Sequence, residues 1–165
     1  MKAGTILLQK TQEKSLMKDT EKDFGVVCLS SELTTVEVKD LPSNDWADED
    51  GTDEYIPATL PVKSAELTLK VGYKGAIERW EAQLDAFLDY LTGNDGSGAE
   101  LMIYIPYYHM GRVGRLEKVG KPEPYLSEDM MITFPITLRI NNPRERIQAV
   151  KDDTQEIKSL AVKIA

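Results

Sequence analysis

The stretch NDWADEDGTDEYIP, residues 44–57, concentrates ligand chemistry more densely than any other part of the chain: Asp45, Asp48, Asp50 and Asp53 surround Trp46 and Gly51. Oxygen-rich carboxylates around a glycine are what a calcium loop of the helix-loop-helix type requires, with oxygens at positions one, three and five, glycine at six and a bidentate Glu at twelve. With Gly51 set at the sixth position, Asp48 and Asp50 fall correctly, but Trp46 stands where the first Asp belongs and Pro57 where the Glu belongs. The motif fails at both ends. A looser calcium site from Asp45, Asp48, Asp50 and Asp53 stays open as an alternative to a solvated acidic loop. Trp46 poses its own question, because a large aromatic among carboxylates either folds back onto its own sheet or is buried by a partner, as interface anchors are.

Other candidate chemistry is sparse. His109 is the sole histidine, which removes most general-base and transition-metal schemes, and after PYY it reads as a strand-end or turn residue. GNDGSG at 93–98 lacks the Lys-Ser or Lys-Thr of a phosphate loop and ends a helical pattern instead of opening one, so it reads as a turn. GRVGR at 111–115 lacks the helical context of RNA-binding GxxG loops. Arg112 and Arg115 are better suited to pairing with carboxylates, including across a subunit boundary. No GxSxG elbow occurs. No catalytic residue and no cofactor are expected, and the chain is read as a non-enzyme.

The bulk composition agrees. With 165 residues the chain suits one domain with appended ends. A formal net charge of -8 makes sequence-specific nucleic-acid binding a poor expectation, since phosphate recognition draws on clustered Lys and Arg. Cys28 is the only cysteine, which excludes an internal disulfide and fits folding in a reducing cytoplasm. Neither a signal peptide nor a membrane span is expected, because the apolar run at Ile6 to Leu8 is short and followed by charges.

The elements that must position these residues follow from periodicity. Residues 1–23 read as an N-terminal arm in which only TILLQK is strand-like. FGVVCLSSELTTVEV, with Leu33, Val36 and Val38 alternating, predicts two strands around a Ser-rich turn. Residues 39–61 break every period and form a long loop, a length that usually has a job or is disordered. Ala65, Leu67, Leu69 and Val71 alternate strictly and predict a strand. Ile77, Trp80, Leu84, Phe87, Leu88 and Leu91 then predict one amphipathic helix over about 76–92, closed by Gly93. ELMIYIPYY, with Pro106 marking an edge or bend, RVGRLEKV, with glycines for a bulge or close approach, and DMMITFPITLRI supply three more strands. Past the stop signals Asn141, Asn142 and Pro143, residues 144–165 carry Ile147, Val150, Ile157, Leu160 and Ile164 at helical spacing, so a C-terminal helix is expected, on its own domain or on a neighbour. The expectation is an α+β, mainly β domain over 24–143.

The order of FGVVCLSSELTTVEV, DWADEDGTDEY, LPVKSAELTLKVGY and MMITFPITLRINNP resembles the N-terminal domain of distal tail proteins of long-tailed bacteriophages and prophages, carried mainly by DEDG at 48–51 and INNP at 140–143. The resemblance implies a β-sandwich or split β-barrel of the tail-tube type with one flanking helix. It further implies hexameric rings that contact other tail proteins in the virion tail, with the long loop reaching the next subunit. The sequence departs from many such proteins in lacking their larger C-terminal domain, so a tube subunit, a tail-completion protein or a stand-alone relative is equally implied. In that setting Trp46, Asp48 and Asp50 on one subunit would face Arg112, Arg115 or Arg139 on another. A monomeric or dimeric domain binding calcium at 45–54 is the alternative.

Overall fold

A computed structural model describes residues 4–32, 36–125 and 131–163. The chain begins with β1 (Leu7–Lys10), β2 (Lys18–Asp19), the short helix α1 (Thr20–Phe24) and β3 (Val26–Ser31). It continues through β4 (Ser43–Asn44), β5 (Asp53–Glu54), β6 (Ala65–Tyr73) and the helix α2 (Trp80–Thr92), which a single 3-10 turn at Ile77–Arg79 introduces. Strands β7 (Leu101–Ile105), β8 (Met110–Val119), β9 (Glu123–Tyr125), β10 (Met131–Ile140), β11 (Ile147–Lys151) and β12 (Ile157–Val162) complete it.

The main sheet is antiparallel, with order β2-β1-β7-β8-β10-β6-β3 and β9 on the side of β10. Strand β8 belongs to two halves: Met110 to Gly114 pair with β7, and Arg115 to Val119 pair with β10. Gly114 stands at the change of partner, where a β-carbon would lie 2.5 Å from the Arg139 carbonyl oxygen, so only glycine lets the two backbones approach this closely. The sheet folds over there without closing into a barrel. Its concave side holds the core: Leu67, Leu69 and Val71 of β6 and Phe134, Ile136 and Leu138 of β10 face Leu8, Leu101 and Ile103 of the other half.

Helix α2 adds Phe87, Tyr90 and Leu91 to that core, and Phe24 of α1 packs against Phe87 with ring centroids 5.3 Å apart and planes tilted by 57°. Trp80 begins the packed stripe against Tyr73 and Phe134. Ile77, expected on the stripe, is exposed because the 3-10 turn rotates it off the helical face. Gly93 caps α2 in the left-handed conformation, as its position predicts.

Four expectations are corrected. The N-terminal segment is not a loose arm: Leu7 and Leu8 are buried, and β1 lies between β2 and β7 inside the sheet. Of the two strands expected in FGVVCLSSELTTVEV, β3 is the one that forms among the described residues; residues 33–35, Leu33 with them, lie outside these, and Val38 makes one isolated bridge to Val62. Strand β7 is no edge, being paired on both sides, and Pro106 starts a 3-10 turn after it.

The fourth correction concerns residues 144–163, which form the hairpin β11–β12 instead of a helix. Asp152 decides this. Its carboxylate accepts the backbone N–H groups of Thr154 and Glu156 and the Thr154 hydroxyl, a side-chain turn that competes with helical hydrogen bonding. Ile147 and Leu160 then fall on one face and pack on Leu7, Met102 and Tyr104, forming a second, smaller core on the convex side of β1 and β7. The Gln9 side chain accepts the Leu160 N–H at 2.8 Å and locks hairpin to sheet. The last expected helical position, Ile164, lies outside the described residues.

Candidate interaction site

Residues 36–62 leave the sheet as a hairpin arm. Its two legs are bridged by Lys39 N–H to Pro61 carbonyl at 2.9 Å, Tyr55 N–H to Pro42 carbonyl at 2.9 Å, and the β4–β5 pairs Ser43–Glu54 and Asn44–Asp53. The base is held by the Glu37–Lys63 ion pair at 2.9 Å and by Arg144, whose Nη2 donates to the Leu60 carbonyl at 2.8 Å. The stretch without periodicity is therefore organised by turn chemistry and sparse ladder bonds, with Gly51 in the left-handed region near its tip.

The arm presents apolar surface to solvent. Trp46 is 53% exposed, Tyr55 67% and Ile56 70%, and Val36, Val38 and Leu60 are exposed beside them. Trp46 does not fold back onto its own sheet. Packing this much apolar surface outward is unfavourable in an isolated chain and typical of a site another molecule covers.

Charge follows the same segment. Residues 36–62 contain eight carboxylates and one lysine, a net -7 out of the chain's -8, so the rest of the protein is close to neutral. The carboxylates are spread along the arm: Asp45, Asp48 and Asp50 line the tip, Asp53 sits on β5, and among the described residues no group of three or more is close enough to hold a metal ion.

The three arginines singled out in the sequence occupy different surroundings. Arg139 lies across from Glu66 and Arg115 on the outer face of β6, β10 and β8, with Nη2 2.9 Å from Glu66 and 2.5 Å from Glu117. Its hydrogen bond holds the Glu117 carboxyl below the usual carboxylate range. Arg139 is thus engaged within its own chain. Arg115 is exposed and donates to the Leu116 carbonyl at 3.2 Å. Arg112, on the first half of β8, is half-buried and donates to the Gly111 carbonyl at 2.8 Å. Among the described residues none of the three is in an ion pair with an arm carboxylate.

His109 adopts a left-handed backbone, φ 49°, at the end of the 3-10 turn after β7, in keeping with a turn role. Sequence reasoning missed two groups. Lys10 is 1% exposed inside the main core, where its Nζ donates to the carbonyls of Tyr90 and Gly98. Arg146, just before the C-terminal hairpin, turns its half-buried guanidinium back to donate to the Pro143 carbonyl.

Solved structures place this architecture. The SPP1 Dit (gp 19.1) protein, described as a paradigm of the hub adsorption apparatus in phages infecting Gram-positive hosts, aligns over 87% of this chain with a TM-score of 0.56 and 12% identity. The fold is that of phage tail proteins. A chain of the phage p2 baseplate, in its activated conformation with Sr, aligns over 88% with a TM-score of 0.56 and 13% identity. This chain spans about half the length of either, 52% and 46%. No protein-family model and no curated protein matches the sequence. No helix among the described residues is long and apolar enough to cross a membrane.

Proposed function

We propose that the protein is a structural, non-enzymatic subunit of a phage or prophage tail, a distal-tail or tube-like component of the virion that assembles with copies of itself into a ring, six-membered by resemblance to distal tail proteins. The observation that carries this reading is the exposed arm. On a sheet with the fold of tail and baseplate chains, residues 36–62 hold Trp46, Tyr55 and Ile56 out in solvent together with nearly all the net charge of the molecule. Trp46 acts as the anchor and Asp48 and Asp50 as charged flanks that meet basic residues of a neighbouring subunit, Arg112 and Arg115 first, since Arg139 already has two partners in its own chain.

Light scattering across a concentration series, with and without calcium, tests this. A concentration-dependent rise toward about six subunits supports the ring. A particle that stays monomeric at every concentration and gains thermal stability with calcium would overturn it in favour of a binding domain, because a ligand that binds only the folded state raises its stability by mass action.

A further inference from the structure

The chain contains two Asp-Gly pairs, Asp50–Gly51 at the tip of the arm and Asp95–Gly96 in the turn that follows α2. In such a pair the glycine amide nitrogen can close on the side-chain carbonyl carbon of the aspartate, because the glycine has no side chain to hinder the approach. The two pairs share their exposure and backbone. All four residues are exposed, both glycines are left-handed with φ 74° and 87°, and a β-carbon built on either glycine would meet nothing within 4 Å.

Their hydrogen bonds differ. Gly96 N–H donates to the Gly93 carbonyl at 3.0 Å, and the Asp95 carboxylate accepts the Ser97 hydroxyl and the Ser97 N–H. Nucleophile and electrophile are both tied there. The Ser97 bonds also hold the Asp95 carboxyl below its ordinary range, which withdraws the protonated form that releases water. At the arm tip neither group is engaged: among the described residues the Gly51 N–H has no acceptor, and the Asp50 carboxylate has neither a hydrogen-bond donor nor an ion pair.

We infer that Asp50–Gly51 is a site of spontaneous main-chain isomerisation from which the fold protects Asp95–Gly96. The Gly51 nitrogen bonds to Asp50 Cγ, and the carboxyl hydroxyl takes the amide proton and leaves as water, giving a five-membered succinimide. Water then adds back at one of the two carbonyls. At Cγ it restores aspartate; at the main-chain carbon it breaks the original peptide bond and leaves the chain running through Cγ as isoaspartate. One carbon is added to the backbone at the tip, with no redox partner. The reaction belongs to the free chain and does not depend on the assembly reading.

The full chain, kept folded at neutral pH and sampled over weeks, is digested and its isoaspartate located by electron-transfer fragmentation, which separates the isomers. Isoaspartate should accumulate at Asp50 several-fold faster than at Asp95. In urea, where both pairs lose their hydrogen bonds, the two rates should converge. Asp50→Glu keeps the charge but requires a slower six-membered closure, so it should remove the product at the arm tip and leave the rate at Asp95 unchanged. Equal rates in the folded chain overturn the inference, and so does a difference of the same size in urea, since sequence alone would then set it. A chain that never self-associates gives the same readout, so the failure of the ring reading and the failure of this one are distinguishable.

Discussion

The Nζ of Lys10 lies 4.4 Å from the centroid of the Tyr90 ring and donates to the Tyr90 backbone carbonyl in the last turn of α2. A strand lysine thus reaches a helix C-terminus 80 residues away in sequence, adding a donor to the Tyr90 carbonyl beside the Gly93 N–H and placing a cation at the negative end of the helix dipole. Burial pushes the Lys10 ammonium down from its ordinary value, opposed by the Asp95 carboxylate, and pushes the Tyr90 phenol up. Lys10→Met should destabilise the protein by about 1–3 kcal/mol in urea unfolding, because the Gly98 carbonyl loses the Lys10 donor and the Tyr90 carbonyl keeps only the Gly93 N–H at 3.3 Å.

Tyr90 makes the opposite case. Its hydroxyl is buried without a partner, so Tyr90→Phe should be neutral or slightly stabilising. The folded-state value is raised, so the phenol's contribution is intact below the ordinary value near 10 and is lost as pH rises beyond it, where only the unfolded chain ionises. Unfolding followed from pH 9 upward should show the Phe variant losing less stability than the parent, and parallel curves would contradict this account.

Trp46→Ala removes a half-exposed ring that touches no core cluster. Thermal stability of the subunit should stay within about 0.5 kcal/mol, as for surface positions, while self-association falls by about 2 kcal/mol, the scale of an interface anchor. Equal loss of both would assign the ring to the subunit's own core.

Gly114→Ala puts a methyl group against the Arg139 carbonyl oxygen and the Ile140 side chain. Overpacking at the point where β8 changes partners should cost about 1–3 kcal/mol in chemical denaturation.

Asp152→Ala deletes the carboxylate that organises the β11–β12 turn, and amide exchange at Ala149 and Leu160 should quicken while α2 keeps its protection. Asp152 is held below its ordinary value mainly by the Thr154 hydroxyl, so its contribution is present above about pH 4 and fades as pH falls through the depressed value. Acidification should reproduce the Ala phenotype in the parent.

Strict alternation made β6 and β10 legible, and the three-four spacing with Gly93 made α2 legible, because in each a single buried face dictates the pattern. The C-terminal hairpin was misread for a physical reason: Ile147, Val150, Ile157 and Leu160 satisfy helical spacing, and only the local bonding of Asp152 breaks the tie. The buried role of Lys10 carried no local signal, since its partners are contributed by α2 and the following turn. At the candidate site the exposure of Trp46 shows that the ring is not packed on its own sheet, and the Arg139 pairs arose from cross-strand register that sequence alone does not fix.

The hydrogen bond from the Leu160 N–H to Gln9 spans 151 positions, and β1 finds its main strand partner only in Leu101–Ile105. A chain emerging from the ribosome must therefore keep Leu7 without its final cover until β12 is made. The second core sets a late commitment point in biosynthesis: premature termination before residue 157 leaves an apolar sheet face bare, and such fragments should be bound by chaperones or degraded before they can poison an assembly.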